Sequence, residues 1–160
     1  RPRAPPPPPA AGRGKRRGGF MEKTKGKSQP PMNADEHRSA IDSKTERIIG
    51  AAFQVSNVLG CGFLEKVYEN SLAYELRKHG HHVEQQFFIN VRYDNIVVGQ
   101  YAADLLVDDE VLIEIKAIKC FDDTHMAQCL NYLKATGKTV CLLLNFGSPK
   151  VEIKRIVNNF

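Results

Sequence analysis

The stretch that decides the fold runs Tyr101-Ala-Ala-Asp104-Leu-Leu-Val107-Asp-Asp-Glu110-Val-Leu-Ile-Glu114-Ile-Lys116. Two apolar runs flank a polar break at Asp108-Asp109-Glu110, so it reads as a strand, a turn and a second strand. Side chains alternate along a strand, which puts Glu114 and Lys116 on one face. Val111, Ile113 and Ile115 then point the other way, into a core. Two acids and a lysine close together suit a magnesium or manganese site. Carboxylates hold a hard cation that polarises a phosphodiester and activates a water. A lysine steadies the developing negative charge or positions the water. An isolated Glu-x-Lys is more often a nearly neutral surface ion pair, so this spacing alone does not decide between the two.

The length of the connection decides whether Asp104 can join Glu114. Facing residues in an antiparallel hairpin have numbers of constant sum. A two-residue turn at Asp108-Asp109 pairs Val107 with Glu110 and Asp104 with Ile113, leaving Asp104 on the wrong face. A three-residue connection pairs Val107 with Val111 and Asp104 with Glu114, with opposed β-carbons ~4.5–5.5 Å apart. Carboxylates that close repel unless a cation or a proton intervenes. A shared site therefore requires the odd length, or a bulge or splay that restores the same facing.

Outward from this hairpin the pattern is regular. Ser43 with Glu46 forms a capping box ahead of Ile48, Ile49, Ala52, Phe53 and Val55, predicting a helix that ends near Gly60. A second helix is predicted from Phe63 to His79, with Leu64, Tyr68, Leu72 and Leu76 as its apolar stripe and Gly80 as its stop. Phe87–Tyr93 and Ile96–Tyr101 flank Asp94-Asn95, a tight hairpin signal. A third helix is predicted over Asp122–Ala135, ending near Gly137. It offers Ala127, Leu130 and Leu133 for packing, and places Gln128 and Tyr132 four apart on one face. Thr139–Asn145 suits a buried central strand and Val151–Val157 a final one. This order predicts an α/β fold: a mixed central β-sheet flanked by helices.

The net charge of +5 hides an asymmetry. Residues 1–33 hold nine Lys/Arg and one acid, Glu22, while the rest of the chain holds 14 basic and 17 acidic side chains. The expected organisation is a disordered basic Pro/Gly-rich tail over 1–33, marked by Pro5–Pro9, and a mildly acidic domain over 34–160. The chain opens on Arg1, with Met21 and Met32 inside, so residues 1–20 are expected to be a fragment or an upstream extension. No run of about 18 apolar residues is present, so no membrane span is expected. A cytoplasmic address, or a nuclear one in a eukaryote, follows by default. Cys61, Cys120, Cys129 and Cys141 lack Cys-x-x-Cys spacing and are expected to be buried reduced thiols. His79, His81 and His82 have no acidic or Cys neighbours in sequence and are expected in an exposed turn rather than on zinc.

Four blocks in order resemble the PD-(D/E)XK nuclease superfamily, and within it the small single-domain GxxExxR proteins. They are Gly60-Cys-Gly62-Phe-Leu-Glu65-Lys-Val-Tyr68-Glu69, Ala103-Asp104-Leu-Leu-Val, Glu114-Ile-Lys116-Ala, and Ala127-Gln128-Cys-Leu-Asn-Tyr132-Leu with Leu-Leu-Leu-Asn145-Phe146. The resemblance covers about residues 44–157 and implies a restriction-endonuclease-like core. It implies Asp104 and Glu114 as metal-binding acids, Lys116 as the catalytic lysine, and Glu65 as a helix glutamate that reaches the metal or its water. Gln128 with Tyr132 matches the Gln-x-x-x-Tyr helix of the RecB-like branch, in which the glutamine supports the centre. Tyr68 departs from the pattern, which has Arg there. The activity implied is a Mg2+- or Mn2+-dependent phosphodiesterase acting on DNA or RNA. The alternative is a catalytically silent nuclease fold that serves as an interaction or assembly module, pairing with itself or another protein, because a fold alone does not establish an activity.

Overall fold

The computed structural model describes residues 33–158. The expected basic tail therefore lies outside the described residues except for Asn33. The helix α1 (Ala34–Leu59) begins earlier than Ser43. Asn33 and Glu36 form a capping box of their own, no glycine or proline interrupts the nine residues before Ser43, and Ile41 is already buried. Ser43 sits inside the helix and accepts from Arg47 at 3.3 Å.

The helix α2 spans Glu65–Lys78, and Tyr68, Leu72 and Leu76 form its buried stripe as expected. Leu64 is not part of it: it is the N-cap residue and stands 80% exposed. Strands β1 (Val83–Tyr93), β2 (Ile96–Val107) and β3 (Val111–Lys116) follow, then helix α3 (Asp123–Thr136) and strands β4 (Val140–Asn145) and β5 (Glu152–Val157). Asp94 and Asn95 both have positive φ and join Tyr93 to its partner Ile96, as a two-residue hairpin turn requires. Asp122 caps α3, and Gly137 ends it in the left-handed conformation that glycine adopts freely.

The five strands form one mixed sheet in the order β1-β2-β3-β4-β5. Every pairing is antiparallel except β3 with β4, whose parallel connection is made through α3. The helices α1 and α2 cover one face, packing on Leu105, Val107, Val111, Ile113, Ile115, Leu142 and Leu144. The helix α3 covers the other, through Cys129, Tyr132 and Leu133 against Leu106, Leu112, Cys141 and Leu143. Ala127 is exposed and Leu130 only half-buried, so the packing face of α3 is turned by about one residue from the expected one. Tyr132 is buried and sets that phase. Both faces of β3 and β4 are thus dry, which is why they read as near-continuous apolar runs.

The histidine and cysteine expectations hold in part. His79 and His82 are exposed, but His81 is buried, with Nδ1 2.8 Å from Asp108 Oδ2. The acid that sequence proximity lacked comes from the β2–β3 turn. All four cysteines are free; Cys129 and Cys141 are buried, whereas Cys61 and Cys120 are exposed in loops that the apolar neighbours did not reveal. Among the described residues no helix is long and apolar enough to cross a membrane.

Candidate active site

The β2–β3 turn meets the parity condition by combining a turn with a bulge. Asp108 and Asp109 both have positive φ, and Glu110 N–H donates to Val107 O at 3.0 Å, as in a two-residue turn. Glu110 is then an extra residue, and the register pairs Val107 with Val111, Leu106 with Leu112 and Leu105 with Ile113. Continued by one step, this register sets Asp104 opposite Glu114.

The ladder stops one residue short of that pair. Ala103 packs with the α3 cluster but Leu105, two residues on, packs with the α1/α2 cluster. A flat pleat would put both on one face, so β2 rolls over at Asp104. The Asp104 carboxylate bridges the opened gap: its Oδ2 accepts from Ile115 N–H at 2.7 Å. Across β1, Gln86 has φ 53°, a left-handed conformation inside a strand. That conformation costs an L-residue about 1–2 kcal/mol. The Gln86 amide donates to Asp104 Oδ1 at 3.3 Å and to Glu69 Oε2 at 2.8 Å.

Glu114 and Lys116 lie on the α3 face at the end of β3, with Lys116 Nζ 2.8 Å from Glu114 Oε1. The other oxygen, Oε2, is buried and has no hydrogen-bond partner. Burial, then the Asp104 charge, pushes Glu114 from its ordinary 4.5 up to about 7, against the bond from Lys116. Burial also raises Asp104, opposed by the Ile115 N–H and reinforced by Glu69. For Lys116 burial works against the charge but is outweighed by Glu114, Glu65 and Asp104, so its pKa is raised.

Glu65, in the first turn of α2, comes within the field of Glu114 and accepts from Ala117 N–H at 3.3 Å. The glycines before it are needed for their backbone: Gly60 and Gly62 have φ 68° and 109°. Tyr68, where the resemblance has Arg, ties that loop down. Its hydroxyl donates to Gly60 O at 3.0 Å and accepts from Phe63 N–H at 3.2 Å, while its ring stacks on Phe146 at 4.6 Å. Gln128 donates to the Tyr132 hydroxyl at 2.6 Å, which donates to Ala102 O at 3.4 Å. Burial, then Glu114, raises Tyr132 to about 12, so it stays a protonated donor. Gln128 thus reaches this cluster through Tyr132.

Three residues in this region had no role assigned from the sequence. Glu69, one turn after Glu65, is buried and bonded by Lys66, Gln85 and Gln86; its spacing of four from Glu65 was the available signal. Gln86 left none, because a left-handed residue inside a strand has no sequence signature when it is not glycine. Asn145 is fully buried and clamps the loop after Lys116. Its Oδ1 accepts from Ile118 N–H and Gly147 N–H, and its Nδ2 donates to Ile118 O, all within 3.0 Å. A β-carbon on Gly147 would lie 2.0 Å from Ile118 O, so this approach admits only glycine.

The described residues include no group of three or more His, Cys, Asp or Glu side chains that could hold a metal ion. The donors present nonetheless suit a hard cation. Glu114 has a buried oxygen without a partner, and Asp104 beside it is raised by burial and by a neighbouring acid. Magnesium is commonly held by one or two carboxylates, with substrate oxygens and waters completing its shell.

The chain belongs to the PD-(D/E)XK nuclease superfamily, whose family model matches residues 42–156. No curated protein matches the sequence. Among solved structures the chain is similar to an alkaline exonuclease, LHK-Exo, from Laribacter hongkongensis, with 18% identity over 71% of this chain and 82% of that one and a TM-score of 0.41. The same enzyme in complex with dAMP shows 17% identity over 68% and 76%, with a TM-score of 0.41. A structure described as SSO0001 shows 17% identity over 78% of this chain and 62% of that one, with a TM-score of 0.45.

Proposed function

We propose that this chain is a metal-dependent phosphodiesterase acting on DNA or RNA, with Asp104, Glu114 and Lys116 at its centre. One observation carries the reading: Glu114 presents a buried, unpartnered oxygen beside Asp104, at the point where β2 rolls away from β3. That arrangement is unfavourable without a positive charge between the acids. Membership of the GxxExxR branch is part of this reading, supported by the Gly60–Glu69 block, with Tyr68 in the place of that branch's arginine.

Asp104 and Glu114, with Glu65 beside them, would hold Mg2+ or Mn2+. Bound there, such an ion supplies charge to polarise a phosphodiester and to acidify a water. Lys116 keeps its proton and donates to a phosphoryl oxygen as charge builds on it. Glu65 and Asn145 hold the main chain after Lys116 from two sides, through Ala117 and Ile118, so the lysine need not reorganise during the reaction. Tyr132, held by Gln128, closes the α3 side of the cleft.

The test is purified full-length protein incubated with plasmid, single-stranded DNA and RNA, in Mg2+, Mn2+ or EDTA, with calorimetry of metal binding alongside. Cleavage should require the metal and be lost in Lys116→Ala. Asp104→Ala and Glu114→Ala should each abolish metal binding; unchanged binding in both would sink the assignment.

A further inference from the structure

Beside the cleft lies a groove of about 750 Å3 between α3 and the β1–β2 hairpin. That volume is in the range of about 300–1,000 Å3 typical of ligand sites. Its inner end is formed by Gln128 and Tyr132, and its walls include Arg92, Tyr101, Asn131 and Lys134. The lining contains two cations and no carboxylate. That composition stands out in a domain where acids outnumber bases, next to a cleft crowded with them.

Tyr101 is 53% exposed. Its ring centroid lies 6.1 Å from that of Tyr132, tilted by 48°. The inner tyrosine thus braces it while solvent reaches the rest of the ring. Tyr101 precedes Asp104 by three residues on β2, roughly 10 Å at the rise of a strand. Arg92 is braced as well, because its Nη1 donates to Asn95 O at 3.0 Å in the hairpin turn. An aromatic platform beside a fixed arginine is the arrangement with which proteins hold single-stranded nucleic acid, stacking bases and neutralising phosphates.

We propose that this groove binds an unpaired polynucleotide strand, with a base stacked on Tyr101 and its phosphate at Arg92. The proposal rests on the nuclease reading and names its substrate class. A base-paired duplex keeps its base faces stacked inside the helix, where Tyr101 cannot meet them. A single strand laid along the groove offers those faces to the ring and carries its next phosphate toward Asp104 and Glu114. The amides of Asn131 and Gln128 line the same groove and can meet base edges without selecting one base.

The experiment is fluorescence anisotropy with the full chain, in EDTA at physiological salt, using labelled oligothymidylate, oligouridylate and a hairpin duplex. All variants keep residues 1–33, so the basic segment contributes equally. Base–aromatic stacking implies that Tyr101→Ala weakens single-strand binding about 5- to 150-fold. Tyr101→Phe, which keeps the ring, should stay within about 2-fold. Arg92→Ala should lower the salt dependence by about one phosphate contact. Duplex affinity should not change in any variant. Equal loss on duplex and single strand, no loss in Tyr101→Ala, or the same loss in Tyr101→Phe as in Tyr101→Ala would each overturn the proposal. The two single-strand probes show whether DNA or RNA is the ligand. A groove that fails while Glu114→Gln still abolishes cleavage leaves the nuclease reading standing. Single-strand binding that depends on Tyr101 in a protein that cleaves nothing supports the groove and removes the nuclease.

Discussion

The two ends of the β2–β3 hairpin are built from the same residue types and have opposite electrostatics. At the turn, Asp108 and Glu110 are matched by Lys44, His81 and His37, and Asp109 by Lys138. Burial is the largest single influence on Asp108 and raises it, but the bonds from His81 and His82 and the Lys44 charge together outweigh it and hold its carboxyl below the usual range. At the other end Glu65, Asp104 and Glu114 gather around Lys116, with Glu69 beside Asp104 and paired with Lys66, and Asp104 and Glu114 are both raised. The turn end therefore adds stability above the ordinary carboxylate pKa and loses it as pH falls. The site end does the reverse: the folded state holds a proton on Glu114 that the unfolded chain has released, so stability is lost as pH rises from about 4.5 to about 7. Charged clusters that stabilise and charged clusters poised for chemistry are told apart by the sign of that slope, not by composition.

Activity should separate the two ends most sharply. Glu114→Gln and Lys116→Ala should each lower phosphodiester cleavage by at least about 100-fold, the scale on which groups that meet developing charge act. Asp108→Ala should leave cleavage within about 2-fold. If both ends mattered equally to cleavage, the contrast drawn from their electrostatics would collapse.

Thermal melting should reverse the order. Asp108→Ala strips the bonds to His81 and His82 and leaves Nδ1 of a histidine whose Nε2 already lacks a partner. A loss of about 2–3 kcal/mol is expected, or roughly 6–15 °C in Tm for a domain of this size. A smaller change follows from Glu114→Gln without metal. At pH 8 the substitution removes a buried charge and should raise Tm by about 3–6 °C; below pH about 4.5, where Glu114 is protonated in the folded and the unfolded chain alike, it should do almost nothing. An equal shift at both pH values would show that Glu114 is not raised. Excess Mg2+ should reduce the pH 8 difference by stabilising the wild type alone.

Gln86→Gly should have the smallest effect on stability, within about 1 kcal/mol, because relief of the left-handed backbone offsets the lost amide bonds. Its cleavage should still fall, since Asp104 and Glu69 lose the amide that spaces them. An unchanged rate would reduce Gln86 to a local irregularity of β1.

The hairpin and the central strands were legible because each rests on local periodicity or turn chemistry, whereas Asp104, Glu114 and Lys116 were named together only through the resemblance and the length of the β2–β3 connection. Alternation in Val111–Lys116 and the Asp94-Asn95 turn needed no tertiary information. Asn33 was passed over because Ser43 offered the same capping signature closer to the apolar run. The packing face of α3 differs from the expected one because Tyr132, read only as sharing a face with Gln128, is itself buried with its hydroxyl on Ala102 O. Gln86, Asn145 and the His81–Asp108 pair escaped because each depends on a contact between distant positions. His81 and Asp108 lie 27 residues apart, and Asn145 and Ile118 the same.

Glu110 makes the hairpin a device that counts. With one extra residue after the Asp108-Asp109 turn, odd and even positions of β3 meet odd and even positions of β2. Removing any single residue from 108–110 would shift the count by one. Glu114 and Lys116 would then rotate toward the α1/α2 layer, and Ile113 and Ile115 toward the cleft. The identities of the three turn residues bear on stability, Asp108 through His81 and His82 above all, but their number alone sets which face Glu114 and Lys116 occupy. A single-codon deletion there should be as damaging as loss of a metal-binding carboxylate, although it touches none of them.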